Sequence, residues 1–308
     1  MTKIRDRRGY ATLLVLWLLV IASSVGLSAV LTGRDEYHFA RNRFEAERAQ
    51  WRAHGCASEA EASVDEILEA ASSNGERTRR WRHLDTLITV PNAERWRCVV
   101  VVRAAGSRLN INEATEEQLA RALAQIADTR GSAALIDAIL DWRGARDDAR
   151  NGMVDTARYR GAHGHEPRKG PFASTAELHR VRGLDSIQRL DALFDVESGR
   201  VSLPNASGEV LLSLPGLACE TVDRLLELRA DGHDVEDLMS LTGRISATAA
   251  ESLMTRYAEL SLATTLEPDA WIATVTASSG RPEISVVIEL RLIRRGNSSA
   301  VVRRRTWS

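Results

Sequence analysis

Between Tyr10 and Leu31 the sequence carries no charged residue and is mostly apolar. At about 1.5 Å per residue such a run makes roughly 33 Å of helix, enough to cross the hydrocarbon core of a bilayer. Lys3, Arg5, Arg7 and Arg8 precede it, with Asp6 the one acid among them. That excess of positive charge retains the leader in the cytoplasm and sends the rest of the chain outward. The prediction is a single membrane pass with an exported body. Three routes of processing are open: signal-peptidase cleavage near Ser28-Ala29, a permanent anchor, or cleavage at the Gly9/Tyr10 junction, where a glycine ends the basic leader just before the apolar run.

Past the span, Tyr37, Phe44 and Trp51 recur every seven residues among Arg41, Arg43, Glu45, Glu47 and Arg48. This is one stripe of a helix that continues well beyond the membrane, and the expectation is that it packs on the protein's own head. Composition adds little to this: 44% hydrophobic and 27% charged residues are ordinary for a chain with a sizeable core. The three cysteines, Cys56, Cys98 and Cys219, are too few for a disulfide scaffold. One Cys56–Cys98 bridge with Cys219 free, and three buried thiols, are both open readings.

Leu84 to Val90 and Trp96 to Arg103 read as a hairpin around Pro91-Asn92, the second strand being β-branched from Val99 to Val102. Trp271 to Ala277 and Ile284 to Ile293 read as two further strands, with Ile284, Val286, Ile288, Leu290 and Leu292 on one face. Gly296-Asn297 then turns into a short edge strand from Ala300 to Arg303. Between the two strand groups, residues from about 108 to 263 are helical in pattern and repeat internally. Ile136 to Arg143 echoes Val222 to Arg229, and Glu177-Leu178 to Gly183 echoes Asp237-Leu238 to Gly243. Each copy has a cap, a helix, a turn, a helix ending in arginine and a short helix closing at glycine. The expectation is two tandem units of the SAM-like or helix-hairpin-helix kind, the first carrying an insertion after Arg143.

The junction Arg7-Arg8-Gly9-Tyr10 resembles the class III leader of type IV pilins, which a membrane protease cuts after the glycine. Leu109-Asn110-Ile111-Asn112-Glu113-Ala114, Asp141-Trp142, Pro171-Phe172-Ala173-Ser174 with Glu177-Leu178, and Leu214-Pro215-Gly216-Leu217 resemble, in order, motifs of the large minor pseudopilin K of type II secretion. The resemblance implies an α+β chain: a pilin-like transmembrane spine helix and small antiparallel sheet, with a large all-α domain of two SAM-like units inserted. The implied segments are a leader over 1–9, a span over 10–31, spine and first strands over 32–107, helical units over 108–200 and 201–265, and closing strands over 266–308. It implies a non-enzymatic subunit at the tip of a short periplasmic filament, anchored in the inner membrane. Its partners would be other minor pseudopilins and the major pseudopilin, and not nucleic acid.

The resemblance also implies calcium in the acidic loop after Asp141-Trp142, where Asp141, Asp147, Asp148 and Asp155 offer hard oxygen ligands. Gly144 and Arg146 stand where the family tends to place more acid, and Arg143, Arg146 and Arg150 would partly neutralise the site, so a solvated loop with local Asp–Arg pairs is the competing reading. Pilin-like subunits usually carry a membrane-buried glutamate as the fifth mature residue; counted from Tyr10, that position is Leu14. A chain without the carboxylate fits at a filament end, where it can offer its own terminal amine to a neighbour.

Two further classes compete. A membrane-tethered helix-hairpin-helix DNA receptor would present Pro215-Gly216-Leu217-Ala218 to phosphates. Residues 106 to 265, however, carry 18 Lys and Arg against 25 Asp and Glu, a balance of −7. A minor pilin of a type IV pilus shares every feature of the spine. No P-loop, GxSxG, HExxH or zinc-spaced cysteine pair marks an enzyme.

Overall fold

The computed structural model describes residues 8–126, 132–144 and 169–307, apart from 186, 198, 234 and 236. The apolar run and the amphipathic segment after it form one helix, α1 (Arg8–Glu69, 62 residues), about 93 Å long. From Thr12 its apolar stretch is unburied and is long and apolar enough to cross a membrane. Beyond the span, Ala49, Ala53, Cys56, Ala57, Ala60, Val64 and Leu68 share one face and are wholly buried. Alanines at helical spacing let a sheet approach the helix closely there.

That sheet has four strands, β1 (Cys98–Ala104), β6 (Trp271–Ser279), β7 (Ile284–Arg295) and β8 (Ser298–Trp307), all antiparallel in the order β1-β6-β7-β8. Trp271, Ala273, Val275 and Ala277 of β6, with Val286, Ile288, Leu290 and Leu292 of β7, face α1 and are buried. The period-2 alternation noted from Val286 to Leu292 is thus the core face of a half-buried strand. Trp81 and Trp271 meet edge to face at 6.5 Å. Their indole N–H groups donate to the Pro268 and Trp81 carbonyls at 2.9 and 2.8 Å.

The hairpin expected over residues 84–103 does not form. Asn74–Arg82 and Leu84–Leu87 are helices, and Ala93–Trp96 makes one more turn before Arg97, at φ 50°, opens β1. Trp81, Leu84 and Ile88 recur at helical spacing, and the first two are buried in the head core. Burial along that stripe overrides the β tendency of the segment, and β1 takes its partner from far along the chain. The last strand is also longer than expected: it runs from Ser298 to Trp307, and Arg303 and Arg305 within it reach Glu197 of the connector between the helical units.

The helical part enters and leaves at a single point. Ala104 pairs with Trp271, and the Ala105 N–H donates to the Ala270 carbonyl at 2.8 Å. An excursion of that length therefore leaves the sheet ladder unbroken. Its first unit opens with β2 (Leu109–Asn110) and closes with β3 (Phe194–Asp195), paired in parallel. Its second opens with β4 (Val201–Ser202) and closes with β5 (Thr264–Thr265), again in parallel. Helices Glu116–Leu123 and Ser132–Trp142 of the first unit correspond to Gly208–Leu212 and Cys219–Ala230 of the second. The Thr115/Gln118 capping box and the Ser207 cap start corresponding helices. One continuous core from Leu109 to Leu260 serves both units, separate from the head core.

Candidate functional site

The elements that could carry assembly are the span, the outer half of α1 and the joint between head and helical part. Gly9 and Tyr10 lie in the first turns of α1, directly before the uncharged run. Leu14 is 62% exposed, as are its neighbours along the span to a similar degree.

The aromatic stripe does not pack on the head, contrary to expectation. Tyr37, Phe44 and Trp51 are 64, 61 and 76% exposed. The reason is angular: the face turned to the sheet is the alanine face at 49, 53, 57 and 60, and the seven-residue stripe lies off it. Trp51 stands twenty residues past Leu31, roughly 30 Å along the helix. Lipid therefore does not account for its exposure.

A disulfide and hydrogen bonds fix the spine to the sheet. A disulfide joins Cys56 of α1 to Cys98 at the start of β1, and Cys219 is the free, exposed cysteine. The Arg52 guanidinium donates to the Ser278 carbonyl at 2.9 Å, and Asp65 accepts from the Ser299 N–H at 2.7 Å.

The joint between sheet and helical part is a set of acid–base pairs that sequence reading missed. Glu197, in the connector between the units, is 2% exposed and takes Arg291 at 2.9 Å and Arg303 on its carboxylate. Asp195 pairs with Arg103 of β1, and Asp269 with Arg200 at 2.7 Å. Burial by itself would push the Glu197 carboxyl up, but Arg303 and Arg291 hold it below its ordinary value. Burial opposes Arg200 in the same way at Asp269, and Arg200 prevails. Glu289 is pushed up by burial and by the neighbouring Glu197 charge, which outweigh Arg103, Arg305 and Arg303. The sequence shows only an arginine-rich terminal hairpin and, far from it along the chain, two acids at 195 and 197.

The arginine that ends the second helix of each unit has the same task in both. The Arg143 guanidinium donates to the Ile111 and Ala114 carbonyls at 3.0 and 2.8 Å, and Arg229 donates to the Ala206 carbonyl at 2.6 Å. Each pins its unit's entry loop to its second helix. Trp142 stacks on Phe172 at 6.0 Å, and the Gly170 N–H donates to the Trp142 carbonyl at 3.1 Å. The two ends of the acidic insertion thus meet. Asp141 lies in the last turn of its helix, whereas Asp147, Asp148 and Asp155 lie outside the described residues. Among the described residues no three His, Cys, Asp or Glu gather as a metal-binding group.

The Pro215–Ala218 hairpin is packed inward. Leu214 and Leu217 are buried, and a Cβ on Gly216 would lie 2.6 Å from the Arg256 side chain. The Glu220 carboxylate accepts from the Ser246 N–H at 2.7 Å. An acid sits where a phosphate site needs a cation.

The sequence matches no protein-family model and no curated protein. The structure matches a chain in the crystal structure of the GspK-GspI-GspJ complex from the type 2 secretion system of enterotoxigenic Escherichia coli. The match has a TM-score of 0.60 and 14% identity, covering 87% of this chain and 99% of that one. The fold is that of a pseudopilin. In pseudopilin terms, α1 is the spine, the four-stranded sheet is the head, and residues between Ala104 and Trp271 are the insertion into it.

Proposed function

We propose that this chain is a non-enzymatic minor pseudopilin of a type II protein secretion system. It would be anchored in the inner membrane and placed at the tip of the periplasmic pseudopilus, where it starts or caps assembly. The observation that carries the reading is the exposed Tyr37–Phe44–Trp51 stripe on a spine helix that runs on from an apolar span. A seven-residue aromatic repeat in water, away from lipid, suits packing against neighbouring helices. The absence of any acid from Tyr10 to Leu31, with Leu14 at the fifth position of the processed chain, supports an end position. A lone membrane carboxylate is costly and persists only for a partner. This subunit contributes the amine to such a pair and not the acid.

The test combines processing and placement. N-terminal sequencing of the membrane-extracted protein should begin at Tyr10; a start near residue 30 would indicate ordinary signal peptidase and end the pilin reading. The processed chain should co-purify with other minor pseudopilins, and Phe44→Ala with Trp51→Ala should weaken that capture without lowering its melting temperature. Electron microscopy should find label at filament ends, and label spread along the shaft rules out the cap. Calcium held by Asp141, Asp147, Asp148 and Asp155 is the accompanying proposal, since the insertion is closed at its base by Trp142 and Gly170. Calcium should raise the melting temperature and chelator reverse it; an unchanged melt in both favours a solvated loop.

A further inference from the structure

The aromatic stripe on α1 is half of a seam. Gly33, Tyr37, Ala40, Phe44, Glu47 and Trp51 follow one another at alternating intervals of four and three residues. That is the spacing at which one helix keeps a continuous line of contact with another in a left-handed supercoil. Large and small positions alternate along it. Tyr37, Phe44 and Trp51 stand out from the helix, while Gly33 and Ala40 between them leave room for side chains coming the other way. A Cβ on Gly33 would meet nothing within 4 Å.

One flank of this seam is cationic throughout. Arg34, Arg41 and Arg48 directly follow Gly33, Ala40 and Glu47, so they recur every seven residues on the same side, and all three are exposed. None of them has a hydrogen bond or ion pair among the described residues. The nearest acids of α1 are engaged elsewhere: Glu47 pairs with Arg43 at 3.3 Å, and Glu45 accepts from the Ser279 hydroxyl of the head. The opposite flank is mixed, with Glu36, Arg43 and Gln50 at the corresponding positions. Arg48 stands seventeen residues past Leu31, about 26 Å along the axis, against a screening length of about 8 Å at physiological salt. A charged bilayer surface therefore does not account for the row.

We infer that the seam takes one α-helix of a different chain, a helix with small seam residues where the aromatics enter and acids every seven residues on the flank beside Arg34, Arg41 and Arg48. The inference rests on the reading of the stripe as a packing surface and adds the chemistry of the partner. A second copy of this chain fits less well. In a parallel pair, flanking residues meet across the seam five positions apart, which sets Glu36 against Arg41 but Arg43 against Arg48. An acidic flank meets all three arginines without that conflict. Exposed charge pairs add little affinity each, so their effect is to choose among helices that the aromatics would otherwise accept alike.

The test uses the full chain in detergent and a fluorescent helical peptide as long as the seam, with leucine and alanine on its own seam and glutamate on both flanks. The control is the same peptide with lysine on the flanks. Anisotropy titrations at low salt should show saturable binding of the glutamate peptide, weakened several-fold by added salt, and no binding of the lysine peptide. Arg41→Glu with Arg48→Glu should reverse that preference and leave the melting temperature unchanged, since both positions are exposed. Phe44→Ala with Trp51→Ala should weaken the glutamate peptide as well. Equal binding of the two peptides, binding of neither, or a preference that survives the double reversal overturns the inference. So does a stable dimer of the chain alone that excludes the peptide. The two readings fail separately. Binding lost in Phe44→Ala with Trp51→Ala but unchanged by the charge reversal keeps the stripe as a packing surface and removes the acidic partner. A mature chain that starts near residue 30 ends the pilin reading and leaves the seam, from Gly33 onward, intact for these titrations.

Discussion

Gly106 sits where the chain leaves the head, at φ 80°, with its carbonyl accepting from the Ser202 N–H at 2.9 Å. A Cβ there would lie 1.9 Å from the Arg200 carbonyl oxygen. Neither the backbone region nor the space admits a side chain, and the obstructing atom is backbone, which cannot swing aside. Gly106→Ala is therefore expected to destabilise the protein by about 2 kcal/mol or more, measured by denaturant unfolding. Gly296, also at positive φ but with open space around it, should tolerate alanine better by comparison. The same contrast separates buried charges from exposed ones. Glu197→Ala leaves Arg291 and Arg303 without their carboxylate inside the joint, at a cost of roughly 3 kcal/mol. The exposed Arg43–Glu47 pair on the spine should contribute little.

At the scale of elements, α1 and β1 are joined by Cys56–Cys98, with 42 residues of separation that include the three short helices. Closing a loop of that length restricts the unfolded chain by about 4 kcal/mol on the loop-closure model. Reduction, or Cys56→Ser with Cys98→Ser, should lower the melting temperature by a corresponding amount and loosen β1, an edge strand, before the central strands. Hydrogen exchange at Val99 to Val102 checks the second half, and unchanged protection there would show that pairing with β6 suffices to hold the edge. Alkylation of the native, unreduced protein should modify Cys219 alone. The spine thus has two distinct faces: alanines and a disulfide toward its own sheet, and aromatics toward open solvent.

At the scale of the whole molecule, head and insertion keep separate cores and meet through Arg103–Asp195, Arg200–Asp269 and the Glu197 cluster. Glu197 and Asp269 have folded pKa values below their ordinary ones, near 4.3 and 3.9. Their contribution is therefore present above those ordinary values and is lost as pH falls through the folded ones. Glu289 has the opposite sign: its folded pKa is raised, so its penalty is absent in acid and grows as pH rises through and above its unfolded value. Melting from pH 7 to pH 3 should show loss of stability at the acid end. Glu289→Gln should raise stability at pH 7 while leaving that acid limb in place. A melt flat down to pH 3 would mean that the joint is not held by these pairs.

The sequence alone determined the features that depend on local period and charge. The uncharged run from Tyr10, the alternation from Val286 to Leu292 and the arginines ending paired helices are written in consecutive residues, so spacing reveals them. From these followed the long apolar helix, the antiparallel strands and the two helical units, whereas the pseudopilin-like fold came from the resemblance of the Leu109, Asp141, Pro171 and Leu214 motifs. Only the tertiary structure decided that Leu84 turns with a helix, that β1 pairs with β6, that the aromatic stripe faces away from the head, and that Cys56 meets Cys98. Each is a choice between faces or partners that local propensity leaves nearly equal, and burial of a shared apolar surface between distant segments breaks the tie. The acids of the joint were illegible for the same reason: Glu197 becomes a buried ion-pair partner only once β7 and β8 bring their arginines to it from the far end of the chain.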